Sequence, residues 1–234
     1  MATTSSSRPN RSPSSVPPEA PVFRGWPAAA LSFWEGLEAD NSKAYWNANR
    51  EIYEQAVRAP MEALAEICAD LGPFKIFRPY RDVRFSTDKS PYKTHIGAYT
   101  ESAGGAGYYV QLSAEGLYAA VGFYHLAPDQ LERYREAVTG EAGEALEPIV
   151  AGLERAGYGV GGEALKTAPR GFPRDHPRAR WLRHKGLYAG KGFPPARWLA
   201  TRSALERVRK VWADAAPLAA WMEANVGPSH LPPE

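Results

Sequence analysis

The sequence predicts an α+β fold in which a central antiparallel sheet is flanked by helices. Three observations lead to this prediction. Apolar residues recur at helical spacing over residues 27–71, short segments rich in aromatic and branched residues follow over residues 76–124, and helical spacing returns from residue 128. Gly, Ser or Pro separates the short segments, which indicates an antiparallel meander with helices on either side of it in the chain.

The chain has 234 residues, of which 44% are hydrophobic, so it can bury a full core without metals or disulfides. We expect one domain over residues 22–228. The single cysteine, Cys68, lies on the apolar stripe of a predicted helix and is expected to be buried. No run approaches the ~20 apolar residues of a membrane span, so we expect a soluble, cytoplasmic protein.

Residues 1–21 are rich in Ser and Pro and poor in apolar residues, which predicts a disordered tail. The ordered part begins near Val22, and Pro27 opens a helix that runs through Leu37. A second helical pattern runs from residue 43 to residue 71. Pro60 lies inside it and predicts either a kink or two consecutive helices.

In the centre and the C-terminal part, elements are again predicted from the spacing of apolar residues and from the Gly, Pro and Ser residues between them. Strands are predicted over 76–85, 94–100, 108–113 and 117–124, with a tight hairpin at 114–116. Helices are predicted from Pro128 through Val138, over 141–156, and within 195–225 with a restart at Pro217. Residues 157–177 are rich in Gly, Pro and charge, so we expect a long ordered loop there.

Charge is distributed unevenly along the chain, although the formal net charge is only +2. Residues 75–95, here called the first basic segment, hold six basic and two acidic residues. Residues 166–185, the second basic segment, hold seven basic residues and one acidic residue. The rest of the chain therefore carries a net charge of −8, which favours localised recognition of an anion over a uniformly basic nucleic-acid surface.

Familiar catalytic and cofactor motifs fail on their context. A phosphate loop over residues 161–167 lacks its second glycine, because Leu165 stands in that place. The histidines lack the spacing of a helical metal site, so no metal and no cofactor are predicted. We leave open a metal site assembled from distant segments, with His95, His125 and His176 as its ligands.

Three sequence blocks resemble one known family. They are FWEGLEADNSKAYWNANREIY at 33–53, RPYRDVRFSTDKSPYKTH at 78–95 and LKTAPRGFPRDHP at 165–177. The central block resembles the signature of the bacterial domain-of-unknown-function 2461 family, and the other two look like its N-terminal and C-terminal blocks. Trp46 stands where that family more often has Phe. The function of the family is not known, so the resemblance implies no mechanism.

The first basic segment has a structural interpretation. On a strand, Arg78, Arg81 and Arg84 would alternate faces, and an arginine on the inner side would need a carboxylate partner. Asp82 or Asp88 can provide that partner through a bidentate bond. The result would be an internal salt-bridge network that fixes the turn from Ser86 to Tyr92.

The second interpretation is a cleft where the two basic segments join, which binds a small anionic metabolite through its phosphate or carboxylate group. Turnover of that metabolite is left open, and no catalytic residue is assigned. A nucleic-acid-binding module and a non-catalytic structural or interaction protein are the alternatives, and the oligomeric state is not predicted. The predicted ligand-binding residues are Arg78, Arg81, Asp82, Arg84, Asp88, Lys89, Tyr92, Lys93, His95, Arg170 and His176.

Overall fold

The structure is a computed structural model that describes residues 22–84 and 87–232. Its strands are β1 (Lys75–Ile76), β2 (His95–Glu101), β3 (Gly107–Ser113), β4 (Gly116–Phe123), β5 (Gly159–Gly161) and β6 (Leu187–Phe193). They form a six-stranded sheet in the order β1-β2-β3-β4-β6-β5, with each neighbouring pair antiparallel. The predicted tail, residues 1–21, lies outside the described residues.

Helices precede and follow the sheet, which confirms the α+β prediction. They are α1 (Ala28–Ala39), α2 (Lys43–Ile52), α3 (Ala59–Ile67), α4 (Pro128–Thr139), α5 (Ala142–Arg155), α6 (Ala179–Leu182), α7 (Ser203–Asp214) and α8 (Ala216–Asn225). In the described part of the chain, none of them has the length and apolar run needed to cross a bilayer.

A π-helical turn, Tyr53–Arg58, joins α2 to α3. Pro60 is the second residue of α3 and directly follows the π-helical turn, where it has no N–H to donate to the preceding turn. The sequence left open a kink or two helices at this point. The structure has two α-helices joined by the π-helical turn.

The core lies between the helices and one face of the sheet, here called the covered face. Leu117 and Ala119 of β4 point into it and are at most 1% exposed. Helices α7 and α8 pack against β4, and Trp212 of α7 meets the Tyr108 ring edge-on at 5.6 Å. Cys68 is fully buried here, and burial raises the pKa of its thiol, as expected for an inert core residue.

The strand predicted over 76–85 was wrong. In the described part of this range, Ile76 pairs with β2 together with Lys75, and residues 78–84 form a loop in which a bridge joins Tyr80 to Tyr92. Proline explains the difference, because Pro79 and Pro91 have no N–H to donate to a ladder.

Strands β5 and β6 were not predicted. The sequence of β6, LYAGKGF, holds two glycines and a lysine and lacks the branched residues that indicate a strand. Its pairing with β4 over seven residue pairs, from Leu117–Phe193 to Phe123–Leu187, supplies the stability that local propensity does not.

Candidate functional site

The first basic segment is a loop held by backbone and side-chain hydrogen bonds. Arg81 N donates to Pro91 O at 2.9 Å, and Lys93 N donates to Pro79 O at 2.8 Å. The Asn41 side chain acts like a strand partner, because Nδ2 donates to Tyr92 O at 3.0 Å and Oδ1 accepts from Tyr92 N at 3.1 Å. The loop is therefore anchored to the start of α2.

Two ion pairs close this loop on the outside of the molecule. Arg84 grips Asp82 in a bidentate pair, with Nε 2.9 Å from Oδ1 and Nη2 2.6 Å from Oδ2. Arg81 pairs with Asp88, whose pKa falls to about 2 through hydrogen bonds from Ser90 and then from Arg81. The carboxylate partners were predicted correctly. The expected internal position of an arginine is wrong for Arg84. Its side chain is 77% exposed, because the segment is a surface loop and not a strand with one side against the core.

Two other predicted residues serve this loop rather than a cleft. Lys89 Nζ donates to Val83 O at 2.9 Å across the turn. Tyr92 is 3% exposed and stacks on Trp46 with ring centroids 4.3 Å apart. Tyr92 is thus part of the aromatic packing beneath the loop.

A cationic cluster, Arg78, Lys93 and His95, remains at the inner edge of the segment. Neither Arg78 nor Lys93 has a salt-bridge partner among residues 22–84 and 87–232. Burial and then Arg78 lower the pKa of Lys93, and burial, Lys93 and Arg81 lower the pKa of His95. Two cations without a salt-bridge partner in the described residues, beside a half-buried imidazole, are suited to binding an anion.

The second basic segment folds onto α4 and α5. Arg178 caps the end of α4, with Nε 2.6 Å from Val138 O and Nη2 3.0 Å from Thr139 O. His176 Nδ1 accepts from Arg178 N at 3.0 Å, so this predicted ligand-binding group supports a turn. Arg170 is exposed on the same loop.

The structure does not bring the two segments together into the predicted cleft. The first segment enters the sheet at His95, which pairs with Ser113, whereas the second enters at Leu187, which pairs with Phe123. These are opposite ends of the strands, about 20 Å apart along them, and β2 and β6 are separated by β3 and β4. Arg170 and His176 are therefore not neighbours of the cationic cluster.

No metal site is formed by the predicted histidines. In the parts of the chain that the structure describes, no group of three or more His, Cys, Asp or Glu side chains is arranged to hold a metal ion.

The structure instead contains a cavity of about 890 Å³ on the face of the sheet opposite the covered face. We call this the open face. Aromatic and small residues dominate the lining, and five of the residues are tyrosines. The lining comprises Lys75, Phe77, Tyr99, Glu101, Gly105, Gly107, Tyr109, Gln111, Tyr118, Ala120, Val121, Gly122, Phe123, Tyr124, His125, Gln130, Tyr188 and Ser229.

The cavity floor is built from tyrosines that lie across glycines of the neighbouring strand. A Cβ at Gly97 would stand 2.7 Å from Tyr109 Oη and 3.0 Å from its Cε2, and a Cβ at Gly107 would overlap the Tyr99 ring. The hydroxyl of Tyr99 donates to Glu101 Oε2 and that of Tyr109 to Gln111 Oε1, both at 2.7 Å. Ring and hydroxyl are thus both fixed.

Burial on this floor perturbs the phenols. It raises the pKa of Tyr109 and Tyr118 to about 12 each. The pKa of Tyr99 is raised too, by burial and by the hydrogen bond to Glu101. These hydroxyls therefore stay protonated and act as hydrogen-bond donors at neutral pH.

The two ends of the cavity differ. At the lower end, where β2 begins, Lys93 Nζ lies 5.3 Å from the centre of the Phe77 ring, which lines the cavity. At the upper end, Ser229 forms a wall, because Ser229 Oγ and His230 N donate to Asp129 at 2.8 and 2.9 Å. The cationic cluster therefore borders the lower end.

Sequence reasoning missed this floor, although a signal was present. Residues 97–101 read Gly-x-Tyr-x-Glu and residues 107–111 read Gly-x-Tyr-x-Gln. In the antiparallel register Tyr99 faces Tyr109, and each glycine faces the acidic or amide residue of the other copy. A repeated pattern of this kind on adjacent strands predicts paired aromatic rings over glycine.

A family model described as "Conserved hypothetical protein (DUF2461)" matches residues 29–221. The chain belongs to the DUF2461 family. No curated protein and no solved structure is detectably similar to it. The match to the DUF2461 model spans both basic segments and every strand of the cavity floor, so the sequence resemblance in the three blocks is confirmed over most of the chain.

Proposed function

We propose that this DUF2461 protein binds a small anionic metabolite in the tyrosine-lined cavity, with the phosphate or carboxylate at the lower end. The observation that supports this most is the position of Lys93, which touches the lining residue Phe77 and has no carboxylate partner among the described residues. Lys75, which lines the cavity itself, adds a second cation. Cavities of this size ordinarily hold a small molecule.

The anion would occupy the space between Lys93 and His95. Its charge would offset the mutual repulsion of the cationic cluster, so the pKa of His95, which is lowered in the free protein, would rise on binding. Affinity would accordingly increase as the pH falls through the pKa of His95, below 6.5. This sets binding at the cluster apart from binding at lysines alone.

A single-stranded nucleic acid is the other candidate that the aromatic floor favours, since bases stack on such rings. The wall at Ser229 argues against it, because a strand needs a track that is open at both ends. The acidic remainder of the chain would also repel a polyanion.

Calorimetry against a panel of phosphorylated and carboxylated metabolites tests the proposal. We expect Lys93→Met, which keeps the aliphatic stem over Phe77, to weaken binding about tenfold or more, as loss of a charge-assisted bond requires. Arg170→Met is the matched control from the second basic segment and should bind like the parent. Equal loss in both variants, or binding only to random single strands with a steep salt dependence, would overturn the proposal.

We further propose that the protein works in the cytoplasm. Its single cysteine is buried and unreactive, so the fold needs no oxidising compartment.

A further inference from the structure

The shape and polarity of the cavity floor carry the proposed function one step further, to the class of the ligand. Phe77, which follows β1, Tyr109 of β3 and Tyr118 of β4 form a row of rings whose successive centroids are 6.4 Å apart. Successive rings are tilted by 37° and 58°, and Tyr118 covers Gly190 of β6. A flat group can therefore stack on one ring of the row at a time.

The hydroxyl tethers prevent the floor from rearranging. Tyr99 and Tyr109 each lie across a glycine, and each hydroxyl donates a hydrogen bond to a residue two positions further along the same strand. A ring held in this way loses little entropy when another ring stacks on it. Stacking of a base on an aromatic side chain weakens about 10-fold to 100-fold when the side chain is removed, a range that corresponds to the cost of losing one such contact.

Two polar groups beside the tyrosine pair offer opposite chemistry. Glu101 accepts from Tyr99 through Oε2 and has a second oxygen that can only accept. Gln111 accepts the hydrogen bond from Tyr109 through Oε1, which leaves its amide N–H groups able to donate. The register pairs Glu101 with Gly107 and Gln111 with Gly97, so the two groups lie at opposite ends of the tyrosine pair, about 13 Å apart along the strands. A ring at the Glu101 end needs a donor edge, whereas a group at the Gln111 end needs an acceptor, which a phosphate provides.

The distance to the cations is also defined. Phe77 N donates to Gly97 O, so Lys93 above that ring stands level with Gly97, and Glu101 lies four residues further along β2. Four residues span about 13 Å of strand. A heteroaromatic ring near Glu101 thus needs a linker to reach an anion at Lys93.

We infer that the ligand is a nucleoside monophosphate or a close analogue, with its base stacked on Tyr109, the donor edge of the base at Glu101, and its phosphate at Lys93 beside Gln111. This inference rests on the proposed function. The proposed function requires only an anionic group on the ligand, and this inference adds a flat ring and a hydrogen-bonding edge.

The experiment compares adenosine and uridine 5′-monophosphates with ribose 5-phosphate, which keeps the anion and the sugar but lacks the base. Calorimetry on the parent should show at least about tenfold tighter binding of one nucleotide than of ribose 5-phosphate. Tyr109→Leu should abolish that difference and leave the affinity for ribose 5-phosphate unchanged. Tyr80→Leu, which removes an exposed tyrosine outside the cavity lining, is the control and should keep the difference.

Glu101→Gln provides a second variant in case Tyr109→Leu does not fold, because Glu101 is exposed and the substitution keeps its size. It should weaken nucleotide binding severalfold and spare ribose 5-phosphate. Equal affinity for nucleotides and ribose 5-phosphate would overturn the inference and leave the anion site standing. Failure of both nucleotides to bind, while other anions bind in a Lys93-dependent manner, would also overturn it. Failure of every anion would overturn the proposed function as well.

Discussion

Glycine and tyrosine shape the cavity at the scale of single residues. Each floor tyrosine occupies space that a neighbouring side chain would fill, so the glycines act through what they lack. Gly190 and Gly192 of β6 illustrate this, since they lie two residues apart on the same face. A Cβ at Gly190 would overlap Tyr118 Oη, whereas a Cβ at Gly192 would stand 3.9 Å from Tyr118 Cδ2, an ordinary contact.

Gly190→Ala should lift the Tyr118 ring off the floor. We expect a loss of about 1 to 3 kcal/mol in the free energy of unfolding, as for other overpacked sites, softened by the freedom of the ring to swing. The pKa of Tyr118, about 12 because of burial, should fall toward 10 as the ring becomes exposed. Ultraviolet titration of tyrosinate in parent and variant measures this shift.

Gly192→Ala is the matched control for that substitution and should keep both the stability and the tyrosine titration of the parent. If Gly190→Ala instead titrated like the parent, the Tyr118 ring would not rest on Gly190, and this part of the floor would have a different packing.

Elements of regular structure explain why the first basic segment escaped prediction. Its aromatic and branched residues have the composition of a strand, yet the ladder fails at Pro79 and Pro91 and only the bridge Tyr80–Tyr92 survives. The partner that replaces the ladder is Asn41, about fifty positions away in sequence and thus invisible to local patterns. In contrast, α1, α4 and the β3–β4 hairpin follow local rules of period and punctuation, and their predictions were confirmed.

Asn41→Ala should loosen the first basic segment, because it leaves Tyr92 N and Tyr92 O without their partners. The expected cost is about 1 to 3 kcal/mol in the free energy of unfolding. Limited proteolysis should cut the segment faster than in the parent. Asn49→Ala, which removes a bond to Tyr45 O within one helix, serves as the control and should leave the cutting rate unchanged. An unchanged rate in Asn41→Ala would mean that the ion pairs alone hold the loop.

At the scale of the whole molecule, the sheet topology decided the fate of the site prediction. Local sequence patterns could not indicate that β6 would pair with β4 and β5 with β6, because β6 is glycine-rich and its stability comes from its partner. Without β6 the ends at which the two basic segments join the sheet could not be assigned. The predicted ligand-binding residues therefore include the whole cationic cluster, but Arg170 and His176 were grouped with it in error.

Histidines at the two ends of the sheet predict how stability depends on pH. Burial lowers the pKa of His95 and of His184 below the ordinary 6.5. The unfolded chain then binds protons more readily than the folded protein, so stability is full above pH 6.5 and falls as the pH drops through the unfolded value toward the folded ones. Asp88, with a pKa of about 2, loses its contribution only at much lower pH.

Chemical denaturation between pH 7.5 and pH 4.5 tests this prediction. The parent should lose stability over that range, and the double variant His95→Gln, His184→Phe should lose clearly less. The phenylalanine keeps the stacking of residue 184 on Trp181, whose ring centroid lies 5.7 Å away. A parent that gains stability as the pH falls would contradict the buried, neutral state of both side chains.

The wall at Ser229 affects the stage of synthesis at which the cavity can bind a metabolite. All strands of the floor precede it in the chain, and the residues that clamp it, Asp129 and Arg133, lie before β6. Helices α7 and α8, which pack against β4 on the covered face, also follow β6 in the chain. During synthesis both sides of the floor are therefore completed after its strands, so a metabolite can stabilise the fold only once these later segments have packed.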